Sequence, residues 1–375
     1  MKLFDVYPLY KVTPVSARGI TITDEDGKEY LDFYGGHAVI SIGHSHPTYV
    51  SRLKAQLDKM GFYSNSVANP LQEKLAYKLS KMAHCEQYQL FLCNSGAEAN
   101  ENALKLASFH TGKSRVIAFN NSFHGRTSAA VAVTDNPKIT SPLNSQHQVT
   151  FLDFEDRESL ERELAKGDVC AVILEAIQGV GGLDQPSTAF YHFLAESCNK
   201  HKVMLIADEV QSGFGRSGKF FAFQHYGVEP DIISMAKGMG NGFPVGGILI
   251  HEKIRASFGI LGTTFGGNHL ACTAVLAVLE VLESEDLIAN AAALEGFFRE
   301  EAAKIPQVKR VKGRGLMLGL EFDFEVAPLR EKLIYEHQIF TGGAKDRHVL
   351  RILPSLGVKR DELQQFFIAL KAALS

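Results

Sequence analysis

Two charged residues end apolar runs in the middle of this chain. Lys237 closes Asp231-Ile-Ile-Ser-Met-Ala-Lys237, and Asp208 closes Val203-Met-Leu-Ile-Ala-Asp208. Both runs read as buried parallel strands, and open α/β sheets place their ligands at the carboxyl ends of such strands. A lysine able to form a Schiff base, beside a carboxylate able to keep a pyridine nitrogen protonated, is the pair that pyridoxal phosphate demands. Freed from that bond, the lysine becomes the base that moves a proton at the substrate carbon. Gln211, one short turn past Asp208, is placed to hydrogen-bond a phenolic oxygen. Each residue also has a plain structural reading. A strand-end lysine snorkels to solvent, and a strand-end aspartate caps the next turn. The glycines at 238, 240 and 242 favour a tight backbone approach around Lys237 over a free surface loop.

A second segment points the same way. Asn94-Ser-Gly-Ala-Glu-Ala-Asn100 follows an apolar run and opens an amphipathic stretch. The first N–H groups of a helix lack internal partners and sit at its positive end, so Gly96 and its neighbours form a phosphate cradle in physical terms. Ser95-x-x-Glu98 is equally a plain capping box. Two other motifs carry less. Gly213-Phe-Gly215-Arg-Ser-Gly218 matches a dinucleotide fingerprint by letter, but the aromatic stretch after it is no amphipathic helix. A nucleotide-dependent oxidoreductase is therefore the weaker rival. His44-Ser-His46 precedes Pro47 without a cluster of acids or cysteines, so it reads as a loop and helix entry, not a metal pair.

The surrounding pattern supplies the scaffold. Short apolar runs alternate with longer amphipathic stretches, which predicts βα units. Strands are expected at Gln89–Cys93, Arg115–Phe119, Val149–Leu152, Val169–Glu175, Val203–Ala207, Ile232–Met235 and Val245–Ile250. Helices are expected at Pro47–Met60, Pro70–Met82, Ala97–His110, Ser187–His201 and Asn268–Glu283. Together they predict an α/β fold with a mostly parallel seven-stranded sheet covered on both faces. Residues 1–45 hold short β-prone pieces around an Asp26-Gly27 hairpin signal. From 284 an Ala-rich helix (Asp286–Ala303) leads to strand-like pieces at Val308–Val311, Gly315–Phe322 and Val349–Leu353. Helices near Pro328–His337 and Arg360–Leu374 complete a smaller α+β domain. The expected division is a large domain over 46–283 and a small one over 284–375, with 1–45 contributing to the small one.

Bulk properties exclude several classes. Across 375 residues, 45% are hydrophobic and 22% charged, with a net charge of −3, so neither nucleic acid nor an anionic membrane is an expected partner. No apolar stretch has the length of a membrane span. The first residues lack a signal-peptide core, and the five scattered cysteines read as buried free thiols. A cytoplasmic protein is the expectation.

In order along the chain stand Asn94–Asn100, Phe123-His-Gly-Arg126-Thr127, Asp208-Glu-Val-Gln211, Ala236-Lys237-Gly238 and Gly262-Thr-Thr-Phe-Gly-Gly-Asn268. This combination resembles the class III (subgroup II) pyridoxal-phosphate-dependent aminotransferases of fold type I, over nearly the whole length. The resemblance implies that Ser95, Gly96 and Ala97 hold the cofactor phosphate and that Phe123 stacks on its ring. It implies Asp208 and Gln211 at the ring nitrogen and phenolic oxygen, and Lys237 as the attachment point. Thr264 resembles a threonine that reaches the phosphate from a neighbouring subunit, which implies a homodimer with shared active sites. Arg126, with Thr263 beside it, resembles the group that grips an acylornithine α-carboxylate. Arg351 resembles the arginine for the carboxylate of glutamate or 2-oxoglutarate, and guanidinium forks suit both tasks. The implied reaction moves the δ-amino group of an N2-acylornithine, acetyl or succinyl, to 2-oxoglutarate, in arginine biosynthesis. The alternative is ornithine or another ω-amino acid as donor. A non-catalytic binding protein on the same fold would lack Lys237 or Asp208.

One position departs from the pattern. The family reads Glu-Pro-x-Gln-Gly-Glu-(Gly/Ala)-Gly where this chain has Glu175-Ala-Ile-Gln-Gly-Val180-Gly-Gly. The second glutamate of that pattern can pair with the arginine equivalent to Arg351 and mask it; Val180 cannot. The departure weakens the free-ornithine reading. It also leads to the expectation that the pocket accepts an extra carboxylate, as in N-succinylornithine.

Overall fold

The computed structural model describes residues 1–375. Its N-terminal part forms β1 (Pro14–Arg18), β2 (Thr21–Asp24) and β3 (Glu29–Asp32). The Asp26-Gly27 turn joins β2 to β3, with Gly27 at φ 77°. That positive φ costs a glycine nothing.

The central sheet is built from β4 (Tyr88–Cys93), β5 (Arg115–Phe119), β6 (Val149–Leu152), β7 (Val169–Leu174), β8 (Met204–Asp208), β9 (Ile232–Met235) and β10 (Gly246–His251). Its order is β4-β10-β9-β8-β7-β5-β6. Only β10 runs against its neighbours β4 and β9, so the sheet is mostly parallel as expected. The expected strand ends move by about one residue, and β8 includes Asp208, which pairs with Ser234. The apolar runs are continuous because both faces are covered. Val172, Leu174, Leu205, Ala207, Ile233 and Met235 face the larger buried cluster, with Leu75, Phe190 and the helix at His269–Ser284. Their alternates Ala171, Ile173, Met204, Ile206 and Ile232 face a second cluster under the Gly96–Thr111 helix. This is the period-two rule of a strand applied to a two-sided core.

The remaining strands are β11 (Arg310–Arg314), β12 (Met317–Glu321), β13 (Ile339–Phe340), β14 (Gly342–Gly343) and β15 (Val349–Ile352). β11, β12, β15 and β14 make an antiparallel sheet, while β13 pairs in parallel with β3. The first of the expected C-terminal strands starts two residues late, at Arg310, because Gly315 (φ 59°) makes the turn to β12 and fixes the Arg314–Met317 register. A helix at Arg157–Leu164 lies outside the expected set; Asp156 caps it by accepting from Ser159 N at 3.0 Å. All five cysteines are buried and free. No helix is long and apolar enough to cross a membrane.

Candidate active site

Lys237 and Asp208 come together because β9 and β8 are adjacent and parallel. Each side chain leaves its strand at the carboxyl end, and both line one cavity of about 380 Å³. Lys237 sits at φ 50°, a left-handed conformation costly for a residue with a side chain. The loop after it is clamped from outside. Ser41 Oγ donates to Gly238 O at 2.7 Å, Tyr49 Oη donates to Gly240 O at 2.7 Å, and Asn241 Oδ1 accepts from Ser41 N and Ile42 N. Burial lowers the Lys237 pKa; Asp208 and Glu175 oppose that shift, and Arg351 adds to it. A lysine with an eased proton is a better nucleophile and base at neutral pH.

Asp208 is almost completely buried and fixed on both oxygens. Oδ2 accepts from Asn100 Nδ2 at 2.8 Å and lies 2.7 Å from His124 Nδ1; Oδ1 accepts from Val210 N at 3.0 Å. His124 Nε2 and Asn100 Oδ1 are buried without partners. Glu175 is a third buried carboxyl at the cavity wall. It accepts from Phe123 N at 2.9 Å and Gly179 N at 2.8 Å, and burial raises its pKa. Glu175, His124 and Asn100 were not among the residues marked from sequence. Their bonds span 52, 84 and 108 positions, so no local spacing announces them.

The start of the Gly96–Thr111 helix opens onto the cavity. Ser95 Oγ accepts from Glu98 N at 3.2 Å, and the Glu98 carboxylate turns back to Asn94 N at 2.8 Å. The capping box therefore exists, displaced by one residue, and it leaves the Gly96 and Ala97 N–H groups unpaired at the cavity wall. The cap read from the sequence is present, and it does not occupy the N–H groups that a phosphate would need. A Cβ at Gly96 would meet Val210 Cγ1 at 2.6 Å, so the backbone approach needs glycine.

Of the other residues singled out from sequence, Ser95, Ala97, Phe123, Arg126 and Gln211 line the same cavity. Arg126 is exposed at its edge, with its guanidinium 5.9 Å from the Phe123 ring centre and no acid paired to it. Arg351 stands behind Gln211 and outside the lining. Its Nε donates to Gly343 O at 2.6 Å and its Nη1 to Gly179 O at 2.7 Å, with Gln211 Oε1 at 3.4 Å. Thr263 and Thr264 also lie outside the lining. Thr263 Oγ1 takes a bond from Asn94 Nδ2 at 3.3 Å, whereas Thr264 is exposed.

The weaker motifs resolve otherwise. Gly215 (φ 87°) and Gly218 (φ 84°) form a turn that seats the fully buried Arg216 among the carbonyls of Leu316, Pro354 and Ile40. His44 bonds Asp32 and His46 bonds Glu285. A larger cleft of about 820 Å³ opens at the amino ends of β8 and β9, beside His110, Lys113, His201 and Asp231, and holds none of the residues above.

The family model described as aminotransferase class-III matches residues 6–374. The chain belongs to the class-III aminotransferases. An acetylornithine aminotransferase of Bacillus subtilis (strain 168) is 40% identical, covering 100% of this chain and 97% of that protein. A succinylornithine transaminase of Photorhabdus laumondii is 37% identical, covering 97% of this chain and 94% of that protein. Among solved structures, an ornithine aminotransferase from Toxoplasma gondii superposes with a TM-score of 0.90 at 28% identity, covering 98% and 91% of the two chains. The fold is that of fold type I transaminases, and the cofactor of this aminotransferase is pyridoxal phosphate. The site fits that group. Two free N–H groups at a helix start suit its phosphate, a fixed buried carboxylate suits a ring N–H, and a strand-end lysine suits its aldehyde.

Proposed function

We propose that this aminotransferase moves the δ-amino group of an N2-acylornithine to 2-oxoglutarate, giving an N-acylglutamate 5-semialdehyde and glutamate, as a step of arginine biosynthesis. One observation carries the reading. Lys237 and Asp208 share a cavity with a phosphate cradle, and two arginines, neither paired to an acid, stand at the edge and the back of that cavity. Relatives named for acetylornithine and succinylornithine support the donor class.

When bound, pyridoxal phosphate supplies the aldehyde that exchanges amino groups and the ring that delocalises the electron pair left on deprotonation. The protein does the rest. Ser95, Gly96 and Ala97 would hold the phosphate, Phe123 would cover a ring face, and Gln211 would serve the phenolic oxygen. Asp208, fixed by Asn100 and His124, would accept a hydrogen bond from the ring nitrogen and keep it protonated. Lys237 Nζ would take the proton from the amine-bearing carbon of the substrate and hold it for return. Arg126 grips the α-carboxylate of the donor, with Thr263 beside it, and Arg351 grips the acceptor carboxylate. Two anchors at different places let one site present different carbons to the same lysine in the two half-reactions.

Residues 1–45 and 284–375 act as the smaller unit against 46–283, a division supported by the β3–β13 pairing. The exposed Thr264 serves the site of a second copy in a cytoplasmic homodimer.

The deciding experiment is kcat/KM for N-acetylornithine, N-succinylornithine and ornithine, each with 2-oxoglutarate. An acylornithine should lead; a lead for free ornithine sinks the donor assignment and leaves the transaminase intact. Val180 adjoins Gly179, whose carbonyl takes Arg351 Nη1. Val180→Glu should harm the succinyl donor selectively, since an added charge opposes an extra carboxylate. Equal loss on both acyl donors rejects a specificity role for Val180.

A further inference from the structure

Arg351 is not the only guanidinium in this region without an acid. Arg330, on the helix Ala327–Tyr335, reaches the same two-residue strand β14 that Arg351 binds. Its Nη2 donates to Thr341 O at 3.1 Å, and its Nη1 faces Gly343, where a Cβ would lie 2.7 Å away. Arg330 Nε is buried without a partner, and so is Thr341 Oγ1 beside it. Tyr34 packs on the neighbouring Gly342, where a Cβ would come 2.9 Å from its ring. Arg351 spends Nε and Nη1 on backbone carbonyls and keeps Nη2 free of any protein acceptor.

Elsewhere this chain compensates its buried arginines. Arg115 is held by Glu163 at 2.8 Å and Asp168 at 2.7 Å. Arg216 stands alone and takes three backbone carbonyls. Arg330 has one carbonyl and the Tyr10 ring, 5.9 Å from its guanidinium, and lies near a second cation. A half-buried guanidinium beside the buried Arg351, against the same strand, is unfavourable unless an anion joins the two. The glycines at 342 and 343 keep that strand thin, so both charges act on the same space.

We propose that Arg330 is a specificity-determining residue for the amino acceptor, forming with Arg351 a two-cation subsite for the carboxylate of a dicarboxylic 2-oxo acid. This rests on the aminotransferase reading above. Arg351 Nη2 makes the direct contact, and Arg330 adds charge from behind β14, so it is a positioning residue. The subsite also gives the sequence departure a reason. With valine at 180 no acid is bonded to either guanidinium, and the buried Glu175 is held by Phe123 N and Gly179 N, so the substrate itself supplies the charge that pairs them.

The test uses holoenzyme carrying Arg330→Gln, with Arg330→Met as a second isostere should the first fail to fold, and Arg330→Lys as the charge-keeping control. The readouts are KM for 2-oxoglutarate, Ki for the unreactive dicarboxylate glutarate, and the single-turnover absorbance change with N-acetylornithine. Removing the charge should raise KM and Ki about tenfold, as expected for one partly screened charge near an anion. The donor half-reaction should stay within about twofold, and lysine should recover most of the loss. Unchanged KM and Ki in the neutral variants overturn the proposal. So does an equal fall in both half-reactions, which marks a structural residue. Arg351→Gln separates the two levels: if it too leaves glutarate binding intact, the acceptor assignment fails before Arg330 is at issue.

Discussion

Glu209 follows Asp208 directly yet has no part in the cavity. Its carboxylate is buried and accepts from Ser212 Oγ at 2.7 Å, Ala222 N at 2.9 Å and Phe223 N at 2.8 Å. Its own N–H donates to Ser234 O at 3.0 Å, which ties the end of β8 to β9. One residue thus anchors the position from which Asp208 works. Burial pushes the Glu209 pKa up to about 7 from an ordinary 4.5, with the hydrogen bonds opposing it. The sign of the consequence follows from proton linkage. Between about pH 4.5 and 7 the folded state binds a proton that the unfolded state has lost, so this residue's contribution to stability falls as pH rises through that window. The full swing is on the order of 3 kcal/mol. Glu209→Gln cannot titrate. Its Tm, lower overall because one acceptor is lost, should fall less from pH 5 to pH 8 than that of the unmodified protein. Parallel Tm curves would show that Glu209 stays ionised throughout.

The Gly96–Thr111 helix is the element that would turn a sheet edge into the proposed phosphate site. Gly96→Ala isolates its contribution. Alanine suits a helix better than glycine, so propensity alone predicts a gain in stability. The cradle predicts the opposite for binding, because the new Cβ would press on Val210 two residues past Asp208. Cofactor affinity, titrated by absorbance on apoenzyme, should fall about tenfold or more, while the Tm of the apoenzyme falls only as far as overpacking against Val210 exceeds the gain in helix propensity. Unchanged affinity would mean that the backbone approach at 96 is not what holds the phosphate. This element also shows what was legible beforehand. Strand, turn and helix could be read here because apolar period and capping residues are local signals. Asp208 and Lys237 were visible as charges ending apolar runs. The network behind them was not. Asn100 reads as a polar helix residue and His124 as part of a loop motif, and only the fold brings both to Asp208. Side-chain bonds between distant segments leave no periodicity behind. The clamp of Ser41 and Tyr49 on the Lys237 loop was hidden for the same reason, since its bonds span 197 and 191 positions.

At the scale of the whole molecule, a single chain leaves an apolar surface beside its own site. Leu57, Phe62, Tyr63, Val67 and Phe265 are exposed, and Phe62 and Phe265 pack against each other with ring centres 5.4 Å apart. Exposed apolar surface of this kind marks an interface. The patch adjoins the chemistry, because Asn94 of the cavity wall bonds Thr263, and Asn65 Nδ2 bonds Gly266 O at 3.0 Å. Thr264 stands in the same segment, exposed and outside the chain's own cavity lining. A second copy seated on this patch would cover the apolar residues and bring Thr264 toward the neighbouring phosphate cradle. Stability of the dimer and completeness of the site then become one property. Phe265→Asp puts a charge in the patch, where burial in an interface is costly. In sedimentation velocity the unmodified protein should run as a dimer and the variant as a monomer. The variant should keep its fold by circular dichroism while losing cofactor affinity and activity together, and both should recover in proportion as concentration drives reassociation. A fully active monomer, of either form, would show that each chain completes its own site and that Thr264 has no role across subunits.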